Sequence, residues 1–255
     1  MRLTRVYVDA PLVPGARLTL AGNAASHLTR VLRLRVGEAL TLFNGLRGEY
    51  AAAIDAAHGG EVTLTVGEHR PIERESPLAL SLAQGVSRGE RMDLVVQKAT
   101  ELGAVRLAPL LTERSVVRLD APQAERKRNH WRAIAIAACE QSGRNRLPEV
   151  LAPLTLREFL RAPPAAAPAT TPGQGGAPLQ LLLSPAGGRS IAELTGPLRA
   201  VTVLIGPEGG LDAAEQEAAV AAGFVPVRLG PRILRTETAA IAALALLQRQ
   251  FGDLG

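Results

Sequence analysis

The apolar positions change rhythm along the chain. Over residues 1–70 they come in short runs: Arg2 to Val8, Arg17 to Leu20, Leu40 to Phe43, Glu49 to Ile54 and Val62 to Val66. Turn signals separate them, notably Pro14-Gly15, Asn44-Gly45 and Gly59-Gly60. Alternation with a period of two puts apolar side chains on one face of a half-buried strand. Asn-Gly is a strong hairpin signal because both residues tolerate positive φ. Ala24 to Leu34 departs from this rhythm, with Leu28, Val31 and Leu32 spaced for one face of a short helix. Residues 1–70 therefore predict a small, mostly β domain.

Pro71 to Pro77 (PIERESP) has two prolines, mixed charges and no apolar period, which reads as a linker. Beyond it, strands and helices alternate. Strands are expected at Leu78–Gln84, Val105–Leu111, Leu179–Leu183, Val201–Ile205 and Pro226–Leu229. Helices are expected at Arg91–Leu102, Gln123–Gln141, Asp212–Ala222 and Glu237–Phe251. The runs 179–183 and 201–205 are nearly continuous in apolar residues, as strands of a parallel sheet covered on both faces should be. Residues 78–255 thus predict an α/β domain. Within it, residues 162–178 (APPAAAPATTPGQGGAP) are low in complexity and uncharged, an expected flexible insertion.

Composition narrows the function classes. The single Cys139 excludes an intramolecular disulfide and a Cys-clustered zinc site, and four scattered histidines give no metal constellation. No apolar run approaches the ~18 residues needed to span a bilayer. The first ten residues carry Arg2, Arg5 and Asp9 and lack a signal core, so a cytoplasmic protein is expected. Basic residues number 29 against 24 acidic, for a net charge of +5, and only Lys98 and Lys127 are lysine. Such an arginine excess, with abundant Ala and Gly, fits a GC-rich genome. Arginine is also the residue that grips phosphates in bidentate fashion. Arg88 to Arg146 holds 12 basic and seven acidic residues, so the middle of the chain is the expected polyanion-facing surface.

Common nucleotide signatures are absent: there is no G-x-x-x-x-G-K-[ST] and no strand-linked G-x-G-x-x-G. Two other segments stand out. Leu204 to Asp212 (LIGPEGGLD) runs from a buried strand through glycines into a helix that Asp212 can cap. Leu229 to Ala239 (LGPRILRTETA) repeats that strand–loop–helix passage. Loops that follow strands of one sheet meet at its carboxyl edge, where α/β folds bind ligands. Cys139 sits on an apolar helix and is expected to pack as a small hydrophobe. Arg126-Lys127-Arg128 reads as a solvated helix face, and the histidines as surface or structural groups.

GPEGGL at 206–211 and LGPRILRTETA at 229–239 together resemble the SPOUT-superfamily enzymes that methylate N3 of a uridine in small-subunit (16S) rRNA and are named for uridine 1498. QKATELG at 97–103, ERSVV at 113–117, Trp131, EQSGRNR at 140–146 and FGDLG at 251–255 are similar to the same pattern. Arg2, Arg5 and Tyr7, with RVLRLRVG at 30–37, resemble its N-terminal RNA-binding domain. Only the 162–178 insertion falls outside the likeness.

The resemblance implies a PUA-like domain over 1–70, a linker at 71–77 and a trefoil-knotted methyltransferase domain over 78–255. It implies a homodimer that uses S-adenosyl-L-methionine and no metal, acting on 16S rRNA or the assembled small subunit, away from membranes. The cofactor set it implies is Leu183, Leu204, Ile205, Gly206, Pro207, Glu208, Gly209, Gly210, Leu229, Gly230, Ile233, Leu234, Thr236, Thr238 and Ala239. Arg2, Arg5, Arg30, Arg33, Arg88, Arg91, Lys98, Arg128 and Arg146 are the RNA-contact candidates. N3 of uracil is protonated at neutral pH, so the reaction needs a proton acceptor and a cation to steady the imide anion. Arg114, Arg144 and Arg235 are the candidate cations, and Glu140 and Glu237 the candidate acceptors. Arg114 and Arg144 serve equally as phosphate contacts, and Glu237 as a helix-start residue. Two other readings stay open: a knotted methyltransferase for tRNA or 23S rRNA, and a non-catalytic RNA-binding protein.

Overall fold

The computed structural model describes residues 4–46, 48–115, 119–161, 179–185 and 188–255. Arg2 and the 162–178 insertion lie outside these residues. The chain divides into two units, Met1–Glu75 with Cys139–Leu147, and Ser76–Ala138 with Pro148–Gly255.

In the first unit the strands are β1 (Arg5–Tyr7), β2 (Arg17–Leu20), β3 (Ala39–Phe43), β4 (Glu49–His58) and β5 (Glu61–Arg70). They form one sheet in the order β1-β3-β4-β5-β2, antiparallel except for the β1–β3 pair. Inward residues such as Val6, Leu40, Leu42, Ile54, Val62 and Leu64 build its core. β4 and β5 are ten residues each and turn at Gly59-Gly60, both at positive φ, so the hairpin is longer than the alternation suggested. The helix expected over 24–34 is shorter. It begins as α1 (Gly22–Ser26), loosens into a π-helical turn at His27–Val31, and stops where Arg33 takes φ 53°.

The expected linker has neither helix nor strand, yet it is pinned within this unit. Asn145 Nδ2 donates to the Ile72 carbonyl at 2.5 Å, Arg146 Nε to Glu73 at 2.9 Å and Arg74 Nη1 to the Gly143 carbonyl at 3.0 Å. Arg144 Nη2 donates to Glu75 at 2.5 Å. These bonds place 139–147 in the first unit rather than the second. Apolar periodicity carries no record of them, because they join polar groups about seventy residues apart.

The second unit is a parallel sheet covered on both faces. Its strands are β6 (Ala79–Gly85), β7 (Ala104–Leu111), β8 (Glu149–Val150), β9 (Leu154–Thr155), β10 (Leu179–Leu183), β11 (Arg189–Ser190), β12 (Ala200–Ile205) and β13 (Val225–Arg228). The order is β11-β13-β10-β12-β6-β7-β8, with β9 also on β7. The helices are α2 (Arg91–Glu101), α3 (Ala121–Ser142), α4 (Leu156–Arg161), α5 (Ala213–Ala221) and α6 (Thr236–Phe251). Leu80, Leu82, Val201, Val203 and Leu181 pack with α2, α6 and Trp131 of α3. Their strand neighbours Ala83, Leu204 and Leu182 pack on the other face with Leu156 of α4 and Ala219 of α5. Alternate residues of one strand are thus buried on opposite faces, which explains the nearly continuous apolar runs.

Candidate functional site

A cavity of about 670 Å³ opens where β10, β12 and β13 end. The loops after β12 and β13 form most of its wall. After Ile205 the chain turns sharply: a Cβ on Gly206 would lie 2.8 Å from the Gly210 carbonyl carbon and the Leu211 nitrogen. Gly210 N–H closes the turn on the Pro207 carbonyl at 2.9 Å, with Gly210 at φ 70°. Glycine is needed at both positions, for close approach at the first and for a left-handed φ at the second. Asp212 then caps α5, accepting from the Glu215 amide at 2.7 Å while Glu215 accepts from the Asp212 amide at 3.0 Å. That capping box fixes where the glycine loop ends.

The opposite wall leaves β13 through Leu229 and Gly230 and reaches α6 at Thr236. Thr236 does not cap the helix. Its Oγ1 donates to the Gly206 carbonyl at 2.7 Å, so the two loops are bonded directly. Gln84 near the end of β6 joins them, its Nε2 lying 2.8 Å from Thr236 Oγ1 and 3.3 Å from Gly206 O.

Charge around the cavity is mixed. Glu208 accepts from Arg91 Nη1 at 2.7 Å and from the Arg88 amide at 3.1 Å. Burial alone would raise the Glu208 carboxyl, but its own backbone amide, Arg91 and the Arg88 amide outweigh it and hold the group below its ordinary value. Arg114 Nη1 donates to the Gly209 carbonyl at 3.0 Å, bracing the glycine loop from outside the cavity. Arg232 and Arg235 line the cavity, exposed and without an ionic partner among the described residues. Glu237 also lines it, with Oε2 buried and unpartnered among the described residues.

Of the expected cofactor set, Leu183, Ile205, Gly206, Pro207, Glu208, Gly209, Gly210, Leu229, Gly230, Ile233, Leu234, Thr236 and Ala239 line this cavity. Leu204 does not, because it is the alternate residue of β12 and packs beneath α4 and α5. Thr238 is exposed on α6 and also falls outside the lining. The sequence reading missed Arg232, Ser184 and Pro185 on the rim. It also missed Gln84 behind the wall. Arg232 sits inside the singled-out loop and was legible there. Gln84 lies far from either loop in sequence and was not.

The five catalytic candidates separate. Arg235 and Glu237 line the cavity, and Arg114 supports its loop. Arg144 and Glu140 belong to the first unit, where both are committed to structure. The Arg144 side chain is 4% exposed and paired with Glu75. Glu140 accepts from the Tyr7 amide at 3.0 Å. Burial pushes the Glu140 carboxyl above its ordinary value, against the lowering influence of that amide, His27 and Arg5. Cys139 is fully buried, and burial pushes its thiol up to about 12, so it stays a packed thiol.

The RNA candidates separate too. Arg5 is buried and bound to Glu49, to the Arg144 carbonyl and to Asn145, which removes it from any surface role. Lys98 pairs with Glu101, Arg128 with Glu125 and Arg146 with Glu73. Arg91 is held by Glu208. The side chains of Arg30, Arg33 and Arg88 are exposed and have no partner among the described residues. No cluster of three or more His, Cys, Asp or Glu that could hold a metal occurs among the described residues. No helix among them is long and apolar enough to cross a membrane. What the cavity offers is main-chain polar groups on glycine loops, apolar walls, the two guanidiniums of Arg232 and Arg235 and the carboxylates of Glu208 and Glu237. That suits a mid-sized ligand with both polar and apolar parts.

Comparison with known proteins identifies the family. A family model described as an RNA methyltransferase domain matches residues 74–248, and one described as an RNA methyltransferase PUA domain matches 20–67. A putative methyltransferase from Legionella pneumophila, solved in complex with S-adenosylmethionine, superposes with a TM-score of 0.91 at 40% identity, covering 100% of both chains. A ribosomal RNA small subunit methyltransferase E from Neisseria gonorrhoeae, also bound to S-adenosylmethionine, superposes at 0.87 with 34% identity and the same full coverage. The enzyme of that name from Buchnera aphidicola (subsp. Schizaphis graminum) is 32% identical over 253 residues, 99% of this chain and 98% of its own. With matches of this breadth to both its α/β unit and its PUA-like unit, the chain belongs to the ribosomal RNA small subunit methyltransferase E family.

Proposed function

We propose that this protein methylates N3 of a uridine, position 1498, in the 16S rRNA of the small ribosomal subunit, with S-adenosylmethionine as donor. The observation that carries the reading is the cavity at 206–210 and 229–239, bounded by the loops of the family pattern. The residues present fit the cofactor: the turn at Gly206–Gly210 leaves backbone close to the space, and Leu183, Leu229 and Leu234 supply apolar wall. When bound, S-adenosylmethionine supplies a sulfonium-activated methyl group. The protein's own residues do the rest. Glu237, with Oε2 lacking a hydrogen-bond partner among the described residues, accepts the N3 proton. The unpaired Arg235 guanidinium offsets the charge that spreads onto the uracil oxygens. N3 lies on the pairing edge, so the base enters unpaired or extruded. Arg30 and Arg33 of the first unit and Arg88 of the second are free to bind phosphates.

In the same reading, the return from Arg228 to Thr236 beside Gly206 supports the trefoil knot, the protein is a cytoplasmic homodimer, and it needs no metal. Ile233, 84% exposed at the cavity, is apolar surface that a second copy would cover. Nucleoside mass spectrometry tests the substrate. Cells lacking this gene should yield small-subunit rRNA without 3-methyluridine, and the intact gene should restore it. A mark that persists in the deletion strain would assign it to another enzyme.

A further inference from the structure

Gln84 is only 1% exposed and stands behind the cavity wall rather than in it. Its register partner on β12 is Ile205, the residue before the glycine loop. Three oxygens surround its Nε2: Thr236 Oγ1 at 2.8 Å, Gly85 O at 3.1 Å and Gly206 O at 3.3 Å. The Thr236 hydroxyl spends its single hydrogen on Gly206 O at 2.7 Å, so toward Gln84 it can only accept. That settles the amide orientation. Turned over, Oε1 would face two carbonyls and a hydroxyl with no hydrogen left to give. The relay therefore runs from Gln84 N–H to Thr236 O–H to Gly206 C=O, and it joins β6, the loop after β12 and the start of α6. The other end of the amide is poorly served, since Gln84 Oε1 is buried without a partner among the described residues. An apolar side chain of similar size would avoid that cost, so the use of glutamine here lies in its donors.

We propose that Gln84 is a positioning residue of the methyl-transfer site: its amide sets the spacing of the two cofactor loops and thereby the affinity for S-adenosylmethionine. The inference rests on the cofactor reading above. Gln84 touches neither ligand nor reacting atoms in this arrangement. It acts through Gly206, whose carbonyl it holds inward, and through Thr236, the residue between Arg235 and Glu237.

Calorimetry with S-adenosylmethionine on the full-length protein tests this. Gln84→Met keeps the volume and removes the donors, and should weaken binding about tenfold or more, the worth of roughly one buried hydrogen bond. Thr236→Val should lose a similar factor, while Thr236→Ser, which keeps the hydroxyl, retains most of the affinity. Because the groups form one relay, the double variant Gln84→Met/Thr236→Val should be little weaker than either single variant. In turnover, KM for S-adenosylmethionine should rise while KM for the RNA substrate stays within twofold. A role in packing alone would leave Gln84→Met within twofold of the parent, and that result, or single losses that multiply in the double variant, overturns the proposal. If Gln84→Met does not fold, the Thr236→Val and Thr236→Ser pair decides from the other end of the relay: equal affinities overturn it. Failure of the parent protein itself to bind would overturn the cofactor reading and the proposal with it, a result distinct from a binding parent with an indifferent Gln84 variant.

Discussion

Gly85 offers the sharpest steric test of the site. It ends β6 against the Gly206-Pro207 peptide, where an added Cβ would lie 2.3 Å from the Pro207 nitrogen, 2.5 Å from Pro207 Cδ and 2.8 Å from the Gly206 carbonyl carbon. Ordinary contact begins at 3.4 Å, so Gly85→Ala requires strand and loop to separate by about 1 Å. No rotamer relieves this, because the opposing atoms are backbone and a proline ring. β6 is held between β12 and β7, so the glycine loop must yield rather than the strand. Overpacking of this kind costs about 1–3 kcal/mol. At about 2–4 °C per kcal/mol for a domain of this size, the melting temperature should fall by roughly 2–12 °C. A displacement near 1 Å in a positioning loop costs about a hundredfold in function. The assay is thermal melting beside calorimetry with S-adenosylmethionine. An alanine variant that melts with the parent and binds within twofold of it would refute the close approach, and with it the reasoning about how the loop is held.

Other perturbations separate the roles of individual residues. In Gly209→Val the new Cβ would lie 3.1 Å from Arg114 Cβ, so the side chain presses on Arg114 and displaces the glycine loop; S-adenosylmethionine binding should be lost while the melting temperature stays within a few degrees, as calorimetry and melting together would show. Glu237→Gln should lower kcat by about 10²–10⁴ in single-turnover assays while the cofactor still binds, as expected of a proton acceptor. Arg144→Ala should remove about 3–5 kcal/mol of stability, the cost of breaking a buried pair with Glu75, read by denaturant unfolding. The carboxyl of Glu49 would be raised by burial alone, but Arg5 and Arg74 hold it below 4.5 in the folded protein. Its contribution is therefore present above pH 4.5 and lost as pH falls through the folded-state value. Glu49→Gln should accordingly lower stability at pH 7, and lose less than the parent does when acidified from pH 6 to pH 3.

The parts of the fold legible in the sequence are those that burial writes directly. Leu179–Leu183 and Val201–Ile205 are apolar at every side-chain position but Gln180 and Thr202 because both faces of the sheet are covered, and Asp212 announces its helix by chemistry. β8, β9 and β11 are two residues each, too short for any period to register. The helix over 24–34 was overextended because apolar spacing does not report that Arg33 turns to positive φ. The glycine loops identified the cavity, since only glycine fits at Gly206 and Gly210. The settings of Arg5, Glu140 and Arg144 were not legible for a physical reason: a sequence shows that a residue is charged but not that its charge is buried against another group. Arg5 meets Asn145 across 140 positions, and Arg144 meets Glu75 across 69. Gln84 was invisible for the same reason, since its partner Thr236 is 152 positions away.

The central claim is tested most directly by titrating the purified protein with S-adenosylmethionine and then mapping, by mass, the methyl groups it adds to small-subunit RNA. The account predicts saturable cofactor binding and a single new methyl on N3 of uridine 1498, both lost in Gly85→Ala. A folded protein that binds no S-adenosylmethionine, or that binds it and marks a different nucleotide, would contradict the account.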